Sequence, residues 1–587
     1  MRRTLYLLLA ALLLILVGGL VAYLAHTSGG TIDIREVNFV GTNGTLMSAL
    51  LYVPQGVTNE NPAPGVVAIH GYINSKETQD GFAIEFARRG YVVLAVDQTG
   101  HGYSDAPAFA NGFGGPDSLR YLRSLDIVDP ENIGLEGHSM GGWAVAIAAG
   151  LYPDDYRSII LAGSSTGTFG APEGTPEFPR NLGLIFSTWD EFSQLMWGAP
   201  VATDIVNTEK LQTLFDTDEP VEVGRLYGSI EDGTARMLYM PRTTHPGDHI
   251  STEAIGNAVD WFQRTLEGGN DLPPADQVWY WKEIGSLVAF IGMVLFLFPM
   301  GALLLQVPFF QELAEPLPES KGVTGYGWWI GALLTAAIPT VSYYWLQHRG
   351  NDWFPAGAFW PQNITTGLTT WAVGNGLIAL VLFLLWHFLA NRQAGATAEH
   401  YGLTWGQALN WPRIGKSLLL AVCILVPAYL LLLISGALFK IDFRFWVLAL
   451  KPMSPRHFGI FLAYLVPFAF FFLTLATVLH GELRQAGGAG GPVSLRRALW
   501  VNVVLLIVGF VVLLLVQYIP LLSGNPLPLG ESLLTIVAFQ LVPLMAIVAL
   551  VSTYFFYKTG HIYTGAFLNA LFITWYIVAG QAIHFAF

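Results

Sequence analysis

Residues 134–150, GLEGHSMGGWAVAIAAG, decide how the rest of the chain is read. Within them Gly137, His138, Ser139, Met140 and Gly141 form a G-x-S-x-G sequence between a short apolar run and an alanine-rich helical run. A serine nucleophile needs a tight strand-to-helix turn that lifts its hydroxyl clear of the backbone, and glycines on both flanks let the chain crowd together there. The helix that follows aims its N-terminal amides at the oxyanion that develops on a carbonyl under attack. The motif alone is weak in a chain with 63 glycines. The strand before it, the helix after it and Gly142 extending the turn give it weight. The competing reading is a structural glycine turn with a bystander serine.

At 587 residues the chain is too long for one ordinary domain. Its charged fraction is 12%, against a hydrophobic fraction of 53%, and a soluble domain usually carries about 25% charge. These averages hide two unlike parts. Residues 26–283 carry 34 acidic and 14 basic side chains, whereas the remainder carries 8 acidic and 15 basic. An acidic soluble domain is therefore joined to a weakly basic, very apolar region. The acidity argues against nucleic acid as a partner, because a phosphate backbone would be repelled. The only cysteine, Cys423, lies in an apolar run, so neither an intrachain disulfide nor a cysteine metal cluster is expected.

The N-terminus reads Met1, Arg2, Arg3, then about twenty apolar residues over 5–24, long enough to cross a bilayer and longer than a signal-peptide core. An uncleaved anchor over 1–25 is expected, with a cytoplasmic N-terminus and an extracytoplasmic domain after it. Over 26–275, short apolar runs alternate with amphipathic segments, as in a layered α/β sheet. Candidate strands are 34–39, 45–53, 65–70, 91–96, 133–135, 158–162, 182–186 and 235–240, the first two antiparallel. From 276 to 587 the chain reads as an all-α polytopic transmembrane domain with eight further spans. They fall near 284–306, 328–346, 370–390, 415–437, 457–480, 498–520, 532–557 and 562–585. With the N-terminus inside, the cytoplasmic segments hold ten basic residues against five outside, as the positive-inside rule requires. Aromatic-rich outer loops lie at 351–360 and 443–450, and the low-complexity stretch 486–492 reads as a flexible inner loop.

A serine hydroxyl is a poor nucleophile until a base takes its proton, and that base must be held by a third group. On an α/β sheet the order along the chain should be serine, acid, histidine, each past the carboxyl end of a strand. Residues 181–192, NLGLIFSTWDEF, read as a buried strand and then a loop with Asp190 and Glu191. Asp190 is the preferred acid and Glu191 a solvated neighbour. After the strand at 235–240 come His245 and His249, then a helix with Ser251 as N-cap and Glu253 in its first turn. His245 is the preferred base, with His249 a surface or supporting residue. The amides of Tyr72, after the strand ending at His70 and Gly71, and of Met140 are the expected oxyanion donors. His70 and His138 read as turn-stabilising residues. The H-E-x-x-H spacing is absent, and no metal or other cofactor is expected.

The HGY at 70–72, YVVLAVDQTGHGYSD at 91–105, GHSMGG at 137–142, the strand followed by DEF, and the late histidine together resemble the α/β-hydrolase superfamily. The resemblance covers about 37–266 and implies an esterase- or lipase-like serine hydrolase with Ser139, His245 and Asp190 as its triad. It also implies that the D-x-x-G-H-G-x-S turn at 97–104 is structural. The fusion of anchor, hydrolase and polytopic tail resembles bacterial membrane-bound hydrolases, a likeness that carries no substrate. About twenty residues separate the strands at 158–162 and 182–186, too few for a substantial helical lid. The site is then either open or covered by the membrane region or by 193–234.

The expected activity is cleavage of an ester, amphipathic or lipid-like, beside the bilayer. Two readings compete: a transporter or sensor whose hydrolase-like domain binds a ligand without turnover, and a peptidase on the same fold. Polar residues within the spans, among them His387, His480, Asn502, Gln540 and Asn569, are expected to hydrogen-bond between helices.

Overall fold

The computed structural model describes residues 2–487 and 492–586. Of the expected inner loop at 486–492, residues 488–491 lie outside the described residues. Nine strands form one sheet: β1 (Ile32–Val40), β2 (Leu46–Pro54), β3 (Ala63–Ile69), β4 (Val92–Val96), β5 (Val128–His138), β6 (Ser158–Ala162), β7 (Leu182–Ile185), β8 (Leu226–Tyr227) and β9 (Arg236–Tyr239). Their order is β1-β2-β4-β3-β5-β6-β7-β9-β8. The block from β4 through β9 is parallel, and β1, β2 and β8 run antiparallel to their neighbours.

The central strands are apolar on both faces, as parallel strands covered on both sides must be. Along β3, Val67 and Ile69 face one core while Val66 and Ala68 face the other. Helices α2 (Asp80–Arg88) and Thr252–Thr265 cover one face. Helices α3 (Gly115–Arg123) and α4 (Met140–Leu151) cover the other. Ser251 caps Thr252–Thr265 by accepting the Ala254 amide at 3.1 Å, and Glu253 sits in the first turn. All eight expected strands form. The added one, β8, has two residues, too few for an apolar pattern to register.

Eight helices among the described residues are long and apolar enough to cross a membrane, beginning with α1 (Arg2–His26). Seven expected spans of the C-terminal region coincide with such helices. The span expected at 328–346 does not. It forms Gly325–Val341 and Tyr343–Trp353, which meet at Ser342. Pro339 lacks an amide donor there, and the second helix carries Gln347, His348, Arg349, Asn351 and Asp352, too polar to continue an apolar span. Helix α1 packs tightly on Trp279–Leu304, where a Cβ on Gly18 would lie 2.5 Å from the Gly285 carbonyl oxygen. Polar residues in the helices do bond between them: His480 pairs with Ser552 at 2.9 Å, Asn502 donates to Thr553 at 2.8 Å and Asn569 donates to the Val548 carbonyl at 3.0 Å.

The aromatic loop at 443–450 is a hairpin of β10 (Phe443–Phe445) and β11 (Leu448–Leu450) that reaches the sheet domain. Arg444 donates to Thr78 at 2.7 Å and Ser75 at 3.1 Å, and Lys451 pairs with Glu77 at 2.7 Å. Lys282, at the start of Trp279–Leu304, pairs with Asp80 at 2.6 Å. Arg444, Lys451, Lys282 and Asp80 are buried, and Arg444 is also paired with Asp442 at 2.8 Å, so removing one partner would leave a buried charge uncompensated. The helical region is thereby docked against the end of the sheet that carries the loops.

Candidate active site

Ser139 sits where β5 turns into α4, with φ 56° and ψ −121°, a backbone conformation that strains any side chain. Its amide donates to the Ala162 carbonyl at 2.8 Å. The flanking glycines are sterically required: a Cβ on Gly137 would lie 2.2 Å from the Gly141 carbonyl oxygen, and one on Gly141 would lie 2.0 Å from that of Ile69. The turn after β3 abuts the serine, since a Cβ on Gly71 would lie 3.0 Å from Ser139 Cβ. Next to it, the amides of Tyr72 and Met140 have no acceptor among the described residues, leaving both available to a ligand oxygen.

The loops after β7 and β9 bring Asp190 and His245 together: His245 Nδ1 and Asp190 Oδ2 are 2.8 Å apart, both residues buried. The Phe192 amide donates to the other Asp190 oxygen at 2.7 Å, a bond that favours the carboxylate against the burial that pushes its pKa up. Burial also pushes the His245 imidazolium down, to about 4. His245 is therefore neutral at neutral pH, the form that can accept a proton. Ser139, Met140, Tyr72 and His245 all line one cavity of about 370 Å³.

One neighbour differs from expectation, and another takes one of its two expected places. Glu191 is not solvated: one carboxylate oxygen accepts the His245 amide at 2.8 Å and the other accepts the Tyr518 hydroxyl at 2.5 Å. Tyr518 comes from the C-terminal helix Leu495–Leu522, and no local pattern places that helix beside residue 191. Burial pushes the Glu191 carboxyl up to about 8. Of the two places expected for His249, the structure has the supporting one: it lines the cavity, 4.1 Å from the His138 ring, and neither of its ring nitrogens has a hydrogen-bond partner among the described residues.

The other singled-out residues support the turns. His138 Nε2 contacts the His245 carbonyl oxygen at 3.0 Å and lies 3.5 Å from Asp248, which also accepts the Ser187 hydroxyl. His70 Nδ1 bonds its neighbour's carbonyl at 2.6 Å and its Nε2 accepts the Gln98 amide at 3.1 Å. In the turn at 97–104, Asp97 accepts the amides of Lys76 and Tyr103, and Ser104 donates to the Asp97 carbonyl at 2.7 Å.

The cavity is roofed. Phe192, Leu195 and Met196 contribute from the segment after β7, and Asn363, Trp446, Val447, Leu533, Ile536 and Gln540 contribute from the helical region. The Tyr72 hydroxyl pairs with His584 Nε2 at 2.9 Å, closing another side. Of the covers the sequence left open, both the C-terminal region and the segment beyond residue 193 are present. No sequence motif marks Trp446 or Gln540 for this place.

Residues 64–194 match a family described as the alpha/beta hydrolase fold. An uncharacterized protein of Mycobacterium tuberculosis is 33% identical over 105 residues, 17% of this chain and 28% of that one. An acetylxylan esterase of Coprinopsis cinerea is 29% identical over 25% of this chain and 42% of its own length. A monoacylglycerol lipase of Mycolicibacterium smegmatis is 29% identical over 22% of this chain and 46% of its own. The chain thus spans less than half the length of each of these relatives. The sheet, its flanking helices and the family match define an α/β-hydrolase fold, joined to a C-terminal region of long apolar helices.

Proposed function

We propose that this chain is a membrane-tethered serine hydrolase that cleaves an ester by acyl transfer. The observation that carries the reading is the buried 2.8 Å pair of His245 and Asp190 on loops that share a cavity with Ser139. His245 Nε2 takes the proton as Ser139 Oγ attacks the carbonyl carbon, and Asp190 holds Nδ1–H so that Nε2 faces the serine. The amides of Tyr72 and Met140 receive the oxyanion. His245 then gives its proton to the departing alkoxide, and a water activated by the same ring releases the acid and frees the serine.

The mostly aromatic and aliphatic cavity walls favour an apolar acyl group. The esterase and lipase names among the relatives favour ester over peptide chemistry. The long apolar helices favour a site held at a bilayer. A burst experiment tests the reading. Mixing p-nitrophenyl acetate with the full chain should release p-nitrophenol in an initial phase proportional to protein, ahead of any steady rate. Ser139→Ala should give no burst, and a wild-type protein without turnover would refute the reading.

A further inference from the structure

Two cavities meet at one turn of chain. The second is an open groove of about 400 Å³ between helices Leu495–Leu522 and Ser532–Thr559, walled by apolar side chains such as Leu514, Leu515, Val542 and Pro543. Trp446 and Val447, the turn between β10 and β11, line both this groove and the cavity that holds Ser139. That turn therefore lies between the two, beside helix Ser532–Thr559, which lines the cavity with Ile536 and Gln540 and the groove with Phe539 and Val542. On the groove side Leu515 is 50% exposed, with Val512 and Ile519 exposed beside it. Water would not favour such a face on a helix of 28 residues; lipid tails would.

The wall is a held, strained element. Trp446 has φ 52°, a left-handed conformation that is unfavourable for a residue with a side chain. Three contacts hold it there. Its amide donates to Glu283 at 3.1 Å, its indole donates to the Pro246 carbonyl at 2.7 Å, and its ring lies 4.9 Å from Phe539. Pro246 directly follows His245, so the wall is fastened to the loop that carries the candidate base.

An acyl chain longer than the 370 Å³ cavity must leave it by some path. Each methylene kept out of water favours the path that covers it, so an apolar path is preferred. The groove beyond Trp446 continues the apolar lining of the cavity in the direction of the lipid-facing helices. We infer that the substrate is a long-chain ester resident in the bilayer, and that its acyl chain reaches Ser139 from this groove by displacing the turn of Trp446 and Val447. The inference rests on the hydrolase reading above.

The test compares two esters on the full chain reconstituted in vesicles of dialkyl-ether phosphatidylcholine, which carries no acyl ester. One is 4-methylumbelliferyl palmitate placed in the bilayer, and the other is p-nitrophenyl acetate in solution. The readout is the ratio of the bilayer rate to the soluble rate. Val542→Trp fills the groove and should lower the ratio by about tenfold or more, the scale set by a mismatched apolar pocket. Trp446→Gly removes the wall and suits the positive φ, and should raise the ratio above that of wild type, because opening of the turn no longer limits entry. Using the ratio makes the test independent of how much active protein each variant yields, and if one variant is inactive the other decides. A ratio equal to wild type in the active variants overturns the route and leaves the groove to another occupant. Wild-type protein that turns over neither ester overturns the hydrolase reading instead.

Discussion

The Tyr518 hydroxyl donates to one carboxyl oxygen of Glu191 at 2.5 Å, while the other oxygen accepts the amide of His245 at 2.8 Å. A helix of the C-terminal region thus reaches the backbone of the candidate base through one side chain. The Glu191 carbonyl also accepts the Ser532 hydroxyl at 2.6 Å, so two helices hold the same loop.

Tyr518→Phe removes the hydroxyl and keeps the ring packed 4.8 Å from Phe539. A buried hydrogen bond of this kind contributes about 1 kcal/mol. The expected result is a loss of kcat of roughly fivefold, the rate equivalent of that energy, with Tm lowered by no more than about a few degrees. An equal loss on removing the whole ring would assign the effect to packing.

Glu191 also gives stability a pH dependence. Its carboxyl is pushed to about 8 in the fold by burial, against about 4.3 in an unfolded chain. The folded state therefore holds a proton that the unfolded state releases between these values, and stability falls as pH rises from about 4.3 to about 8. Glu191→Gln should flatten the fall in Tm over this window. Parallel wild-type and variant curves would show that Glu191 does not titrate there.

Burial pushes the His245 imidazolium down to about 4, and only the neutral ring can take the serine proton. The acidic limb of kcat/KM is expected well below the usual histidine value of about 6.5. A limb at or above that value would mean that the neighbouring carboxylate outweighs desolvation.

Asp190 and Asp248 each lie against a histidine ring, and they should respond differently. Asp190→Asn breaks the 2.8 Å pair with His245 and should lower kcat by about 10⁴-fold while leaving the fold intact. Asp248 touches His138 and Ser187, which hold the loop, so Asp248→Asn should cost activity by only about tenfold. Kinetics on both variants, with circular dichroism to confirm folding, separate the two roles.

Glycine substitutions separate fold from site in a similar way. An added Cβ at Gly141 would sit 2.0 Å from the Ile69 carbonyl oxygen, a backbone clash that should prevent stable folding. At Gly71 it would sit 3.0 Å from Ser139 Cβ and 3.3 Å from His138 Nδ1. Gly71→Ala should therefore keep most of the Tm and lose activity by about 100-fold, the range for a disturbed oxyanion site.

Local patterns made the sheet and the pairing of Asp190 with His245 legible, because β3, β5, β7 and β9 each announce themselves as apolar runs and each candidate residue follows one of them. The burial of Glu191 is not legible, because it depends on Tyr518, 327 residues away, and no local pattern encodes such a contact. The roof was open for the same reason: Trp446 reads as an interfacial aromatic until the hairpin folds onto Pro246. The span at 328–346 looked continuous because hydropathy averages over Pro339, whereas a helix ends where its donors and apolar face end.

Labelling of the detergent-solubilised full chain with a fluorophosphonate probe tests the central claim most directly. The expected result is stoichiometric labelling of wild type, mapped by mass spectrometry to Ser139, and none of Ser139→Ala. Absence of labelling in wild-type protein that is folded, or labelling retained in Ser139→Ala, would contradict it.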